Sequence, residues 1–422
     1  MAQDISKIKR SPYTFYNADE GMALDPELLF QGRAELKYVK RILACSPLTG
    51  QEHPLTISEF YHLYDIPALE WTDLQALPYE QGLTLEAVYG FARNGLVVTD
   101  SAAPELAALR RREEILSCEQ WHPYSALYHM MTKWQGIDCF KEEGSSQQQT
   151  IRNDYSEQEI INTIHHRGSE AVMRFARKFG SPPSPFYEAP GRKSTTDLPL
   201  IRREGGLYSA LAQRRTTRSF DASRHMELKD FALLLYYVYG CHGFAPASSE
   251  YTAIKKTSPS GGGFHPVEVY PLVRSVAGIE PGLYHYNVKR HALESIKSLH
   301  DSEVSRLANL FTAGQLYPSR AHVLFIMTTR FFRNHWKYRK NPKTYGVMLM
   351  DAAHLSQTLY LVAAELGLGA FITAAINSVD IEGELGLDGY TESPVAISGA
   401  GVPTAQTWDP QFEPFTPRET AL

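Results

Sequence analysis

The stretch Lys255-Lys-Thr-Ser-Pro-Ser-Gly-Gly-Gly-Phe-His-Pro266, running straight into Val267-Glu-Val-Tyr-Pro-Leu-Val273, constrains this chain more than any other feature. Three glycines after a Ser-Pro-Ser turn remove the side chains that would hold a flat ligand away from the backbone. The β-branched run behind them anchors that turn to the end of a sheet strand. A long surface turn has the same composition, so the loop gains weight only from its company. Two further segments lie in the same half of the chain. They are Arg214-Arg-Thr-Thr-Arg-Ser-Phe-Asp221 and Arg330-Phe-Phe-Arg-Asn-His-Trp-Lys-Tyr-Arg339.

At 422 residues the chain exceeds one ordinary core, so two or three domains are expected. Its 43% hydrophobic and 21% charged residues are those of a globular protein. A net charge of -5 argues against nucleic acid as a partner, and the basic runs at 110–112 and 333–340 suit a local anionic ligand. Four scattered cysteines give neither a zinc spacing nor a disulfide framework. The first residues lack the apolar core of a signal peptide, and no window is expected to reach the length of a membrane span. A cytoplasmic protein with no membrane partner is the expectation.

Glu142-Glu-Gly-Ser-Ser-Gln-Gln-Gln-Thr150 and the proline-rich 180–197 read as linkers. Before them, Arg41–Ser46 reads as a strand. Segments 58–65, 72–77 and 84–93 read as short helices opening on Ser or Thr, and Asn94-Gly95 leads into the strand 96–99. That order is the order of a winged helix. Its third segment carries Glu86, Tyr89 and Phe91 rather than a basic face, so peptide docking fits better than DNA reading. A small helical packing domain fits equally. The expected segments are 1–105, a winged-helix-like peptide-recognition domain; 106–200, a helical connector and proline-rich linker; and 201–422, where the chemistry lies. In that last part strands and helices mingle without a strict β-α repeat, giving the α+β class.

Arg214, Arg215, Thr216 and Arg218 put permanent cations and a hydroxyl within five positions, the donor set a phosphate monoester needs. Surface arginines at a helix end would look the same. Ser258, Pro259, Ser260, Gly261 and Gly262 could line the edge of a planar ring, while His265 reads as a turn histidine. A tyrosine, with an ordinary pKa near 10, needs a neighbouring cation to act as a base, so Lys337 and Tyr338 form a candidate proton-accepting pair. A solvated basic loop is the competing reading. Asp351, His354 and Gln357 drift along one face of an apolar helix, either beside a ligand or satisfied within a buried bundle.

Taken in order along residues 207–403, these motifs resemble the nitroreductase-like flavoproteins. The resemblance is nearest to the dehydrogenases that oxidise azolines in ribosomally made peptides. It rests on Arg-Arg-Thr-Thr-Arg, Ser-Pro-Ser-Gly-Gly-Gly-Phe-His-Pro, Gly282-Leu-Tyr-His-Tyr286, Lys337-Tyr338, Asp351-Ala-Ala-His354 and Ile397-Ser-Gly-Ala-Gly401. Two departures stand out: Lys343-Thr-Tyr345 replaces the family's Arg-Tyr-Arg, and the first half matches only through Tyr128-His129 with Thr132-Lys133.

The resemblance implies a central antiparallel sheet flanked by helices and a homodimer holding FMN. The phosphate would lie on Arg214, Thr216 and Arg218, the ring on Ser258, Ser260 and Gly261. Amides around Ala374, Ala375 and Ile376 would face the reactive ring nitrogen. The implied activity is two-electron dehydrogenation of a modified precursor peptide, with a cyclase or other maturation enzymes as partners. The alternatives are an NAD(P)H-dependent nitro or quinone reductase, and an idle scaffold presenting a leader peptide to a cyclase.

Overall fold

A computed structural model describes residues 5–24, 28, 32–77, 83–139, 203–248 and 252–404, with scattered positions between 173 and 199. The linker expected at 142–150 and most of that at 180–197 lie outside the described residues. The chain separates into two compact units. The first comprises Met1–Trp134, Arg330–Met348 and Leu387–Ser393. The second comprises Gln135–Thr329, Leu349–Gly386 and Pro394–Leu422.

The first unit contains β1 (Lys7–Arg10), β2 (Phe15–Leu24), β3 (Leu36–Ser46), β4 (Gln51–Leu55), β5 (Thr72–Asp73) and β6 (Val97–Thr99). They make two antiparallel sheets, ordered β5-β1-β6 and β2-β3-β4. Helix Ile57–Asp65 starts where Thr56 accepts from the Glu59 amide and Glu59 reaches back to the Thr56 amide, a complete capping box. Helix Leu85–Arg93 starts at Thr84, whose hydroxyl accepts from the Ala87 amide at 3.1 Å. It stops at Gly95, whose φ of 66° lets the Leu96 amide return to the Phe91 carbonyl.

Two local expectations are corrected here. Segment 72–77 is the two-residue strand β5 followed by the 3-10 turn Leu74–Ala76, because Thr72 and Asp73 pair with β1 instead of coiling. Residues 41–46 are only the second half of β3, whose first half alternates too weakly in polarity to announce a strand.

The second unit holds a two-stranded ribbon, β7 (Gly243–Pro246) with β8 (Thr252–Lys255), and is built on β9 (Val267–Val273), β10 (Gly282–Asn287), β11 (Ala292–Ser298), β12 (Val323–Arg330), β13 (Gly369–Thr373) and β14 (Glu392–Gly401). The sheet order is β11-β10-β9-β12-β14-β13, and the pairs β9–β10, β10–β11, β9–β12 and β13–β14 are antiparallel. Period-two alternation sorts its side chains. Val323, Phe325 and Met327 enter one core cluster, while Leu324 and Ile326 enter another. Helices cover both faces: Leu228–Leu234 and the long Lys343–Glu365 contribute to the first cluster, Asp301–Phe311 and Ser378–Leu385 to the second. Coverage on both sides explains the apolar run Val323–Met327 that opens β12.

The α+β class with a central sheet between helices is what the sequence implied. The expectation that no window reaches the length of a membrane span is corrected. Among the described residues one helix, Lys343–Glu365, is long and apolar enough to cross a bilayer. Its apolar side is taken up by the core, where Ala352, Leu355, Leu359 and Ala363 are buried.

Candidate functional site

The arginine turn follows helix Gly206–Gln213, which ends as the Arg214 amide bonds to the Ala210 carbonyl. It is stitched to β13 by a parallel bridge between Thr216 and Ala370 and by the Thr217 amide on the Ala370 carbonyl at 2.8 Å. Gly369 makes this approach possible, since a Cβ there would lie 2.5 Å from Thr217 Cγ2. The Arg214 guanidinium lies 5.4 Å from the centre of the Tyr360 ring, and the Thr216 hydroxyl is 3.1 Å from the Tyr360 hydroxyl. Arg218 lies 5.8 Å from the Tyr317 ring, and Arg215 is exposed. Three guanidiniums are therefore borne on a turn whose backbone is fixed by other groups.

The glycine loop is pinned to the long helix. The Ser260 hydroxyl donates to Asp351 Oδ2 at 2.6 Å, the Gly261 amide to Asp351 Oδ1 at 3.0 Å, and the His265 amide to Ser260 Oγ at 2.9 Å. Buried Ser258 lies 2.6 Å from the Thr358 hydroxyl, and His354 Nδ1 lies 3.3 Å from the Pro259 carbonyl. Asp351 and His354 are thus satisfied bundle residues that hold a loop, the plainer of the two readings their spacing allowed. The hydroxyls of Ser258 and Ser260 and the Gly261 amide, expected to face a ring, serve this loop–helix contact in the structure. Gly262 and Gly263 have φ of 69° and 75°, and a Cβ at Gly263 would meet nothing within 4 Å. At Gly263 the loop thus has room where a side chain would stand, which fits close approach of a planar ring.

Residues 374–376 leave β13 at a rigid corner. The Ala375 amide donates to Thr373 Oγ1 at 3.1 Å, and Gln315 Nε2 donates to Thr373 Oγ1 at 2.9 Å and to the Ala375 carbonyl at 3.2 Å. Buried Asn377 donates to the Leu310 and Ile137 carbonyls, ending the corner. Ala374 is exposed and Ile376 buried. Sequence reasoning overlooked Gln315 and Tyr360. Only a polar group inside an otherwise apolar helix could have flagged Tyr360, and nothing local marks Gln315.

Lys337 and Tyr338 belong to the first unit, on helix Phe331–Tyr338 rather than in a loop. The Lys337 ammonium lies 5.4 Å from the centre of the Tyr338 ring. Behind this helix lies a dense aromatic cluster. Trp121 packs 4.5 Å from Phe331 and 5.1 Å from His335 between ring centres, and stacks on His129 at 5.3 Å. His129 Nε2 lies 2.9 Å from the Gly389 carbonyl and Nδ1 3.0 Å from the Tyr345 hydroxyl. A carbonyl only accepts, so Nε2 carries the proton and Nδ1 accepts from Tyr345. Burial holds the His129 pKa well below the ordinary value, and the neutral ring suits both bonds. Tyr345, the departure from the family pattern, is committed to this contact.

Burial also pushes the pKa of His335 down to about 4, while its Nδ1–H donates to the Glu119 carbonyl at 3.0 Å. An unfolded imidazole titrates near 6.5, so between about 6.5 and 4 the unfolded chain binds a proton that the fold refuses. The contribution is complete above 6.5 and is lost on acidification, about 2 kcal/mol at pH 5 from His335 alone. Urea midpoints at pH 7 and pH 5 should show that loss, and His335→Gln should show a smaller one. An equal pH dependence in the variant refutes the assignment.

The nitroreductase family model matches residues 211–402. The trifolitoxin-processing protein TfxB of Rhizobium leguminosarum bv. trifolii is 31% identical over 249 residues, 57% of this chain and 62% of that protein. The chain thus spans under two thirds of that relative's length. MJ1384 of Methanocaldococcus jannaschii, named as a nitroreductase, is 29% identical over 187 residues, covering 44% of this chain and 86% of that one. Among solved structures, the E. coli microcin synthetase McbBCD complex with truncated pro-MccB17 bound gives a TM-score of 0.40 at 19% identity, covering 58% of this chain and 94% of that one. Nitroreductase-family proteins generally use a flavin, and the bare glycine loop and arginine turn are what such a group asks of its host. The likeness to the nitroreductase family therefore covers residues 211–402 of this chain.

Proposed function

We propose that the chain is an FMN-dependent dehydrogenase that oxidises a modified, ribosomally made precursor peptide, forming azoles from azolines or an equivalent unsaturation. The observation that carries this reading is the pairing of two rigid, ligand-ready segments in one unit. These are the arginine turn fixed to β13 and the glycine loop fixed to Asp351. The likeness to a trifolitoxin-processing protein directs the reading toward peptide maturation.

Arg214, Thr216 and Arg218 would hold the phosphate of FMN, and the Gly261–Gly263 backbone with the corner at Ala374, Ala375 and Ile376 would receive its ring. When bound, FMN supplies the two-electron acceptor; the protein supplies position and proton management. Tyr338, with the Lys337 cation beside its ring, takes the proton that the substrate carbon releases. The phosphate clamp needs one phosphate only, so FMN is favoured over FAD. A homodimer is the expected assembly, and a cyclase that installs the azoline is the expected partner.

The test is mass spectrometry of a heterocyclised precursor peptide incubated in air with the purified, yellow protein. Loss of two hydrogens per ring supports the assignment, and an unchanged mass refutes it. The resemblance to MJ1384 favours a second reading, a reductase driven by NADH or NADPH. Rapid anaerobic bleaching of the flavin by either nucleotide, together with an unchanged peptide mass, selects that reading.

A further inference from the structure

We propose that the outer face of helix Phe331–Tyr338, with the turn that follows it, binds an acidic segment of the peptide substrate. This rests on the peptide-oxidising reading and names the feature of the substrate that the protein recognises.

The helix is amphipathic in an unusual way. Phe331, Asn334 and His335 are buried on one side. The opposite side exposes Phe332, Arg333, Trp336 and Lys337, at spacings that place them on one face. Trp336 is 53% exposed and Phe332 38%, so two large aromatic rings reach the surface beside the row of Arg333 and Lys337. From Arg330 to Met350 the sequence holds six basic residues and no carboxylate, in a chain whose net charge is -5. Arg330 faces Glu392 at 3.8 Å and takes no part. Lys340 and Lys343, both exposed, extend the cationic face past the helix end.

This face is ordered. The turn is set by Arg339 at a φ of 50°, by the Asn341 amide on the Arg339 carbonyl at 2.8 Å, and by the Lys343 amide on Asn341 Oδ1 at 3.0 Å. From behind, His335 on the Glu119 carbonyl and Phe331 against Trp121 hold the helix. Aromatic rings and arginine on a rigid support are the composition of binding hot spots. Concentrated positive charge steers and orients a partner of opposite sign.

The size of the face decides the class of partner. An eight-residue helix is about 12 Å long, the span of roughly four extended peptide residues. A nucleic acid polyanion needs a longer basic track than this helix and turn provide. A short acidic peptide segment with an apolar residue or two matches both the cations and the rings.

The experiment uses the full chain with its flavin and a fluorescein-labelled octapeptide of alternating Asp and Phe. The control replaces each Asp by Lys, and a single-stranded oligonucleotide and NADPH serve as competitors. The acidic peptide should bind at least tenfold more tightly than its lysine counterpart and weaken as salt rises. The variant Arg333→Gln/Lys340→Gln/Lys343→Gln should abolish that preference with flavin content unchanged. Trp336→Ala should weaken binding several-fold. Equal binding of the two peptides overturns the proposal, as does tighter binding of the oligonucleotide or displacement of the peptide by NADPH at equal concentration. Because the peptide pair tests charge without altering the protein, a misfolded variant leaves the comparison intact. Binding is scored without turnover, so failure here is separable from failure of the dehydrogenase assay.

Discussion

Arg214→Ala/Arg218→Ala should emerge from purification colourless. Each guanidinium is expected to make charge-assisted hydrogen bonds to the FMN phosphate, worth roughly 1.5–3 kcal/mol apiece. Losing both weakens binding by about two to four orders of magnitude. The fold should survive. The backbone of the turn is held by Thr217 on Ala370 and the Thr216–Ala370 bridge, while Arg214 and Arg218 lie over the rings of Tyr360 and Tyr317. Flavin stoichiometry from the visible spectrum, followed by titration of the apoprotein with FMN, measures the effect. Circular dichroism checks the fold. A folded double variant that keeps stoichiometric flavin and binds FMN as tightly as the parent removes these residues from the phosphate site. Tight retention of FAD by the unsubstituted chain would count against the choice of mononucleotide.

What the sequence disclosed about this site divides along physical lines. The glycine triplet, the arginine turn and the apolar strands were legible because each is a local signal: special backbone freedom, clustered charge, period-two burial. The strand at 267–273 was legible from its β-branched run, since both faces of the sheet are covered and all of its residues but Tyr270 are buried. The functions of Ser258 and Ser260 were not legible in this way. Whether a hydroxyl points at a ligand or at a helix depends on what lies about a hundred positions away, and here Asp351 and Thr358 claim them. The same limit hid Tyr360 and Gln315, whose partners are distant in sequence.

In the first unit the helix caps at Thr56 and Thr84 and the stop at Gly95 were readable from local chemistry. The strand at Thr72–Asp73 was not, because two residues carry no periodicity and only β1 makes them a strand. The basic run after Arg330 could be solvated loop or ordered surface from sequence alone. The buried faces of Phe331 and His335 against Trp121 decide for a helix.

Tyr338→Phe should keep the flavin spectrum and lose 10²–10⁴-fold in turnover, the usual worth of a positioned base. Neither Tyr338 nor Lys337 belongs to the turn or loop assigned to the cofactor, so flavin content should not move. The substitution deletes one hydroxyl and leaves a ring of the same shape beside the Lys337 ammonium, 5.4 Å from its centre. The packing behind the helix, from Phe331 and His335 to Trp121, is untouched. Lys337→Ala removes the cation beside that ring and lowers turnover by acting on the same proton, so the double variant should be little worse than either single one. Single-turnover rates on the peptide identified by mass spectrometry, across pH, separate the cases. A base that is lost takes its limb of the pH–rate profile with it, whereas a merely loosened helix lowers the whole profile without changing its shape. A Tyr338→Phe enzyme with full turnover and an unaltered profile would rule out the phenol and leave Lys337 as the proton acceptor.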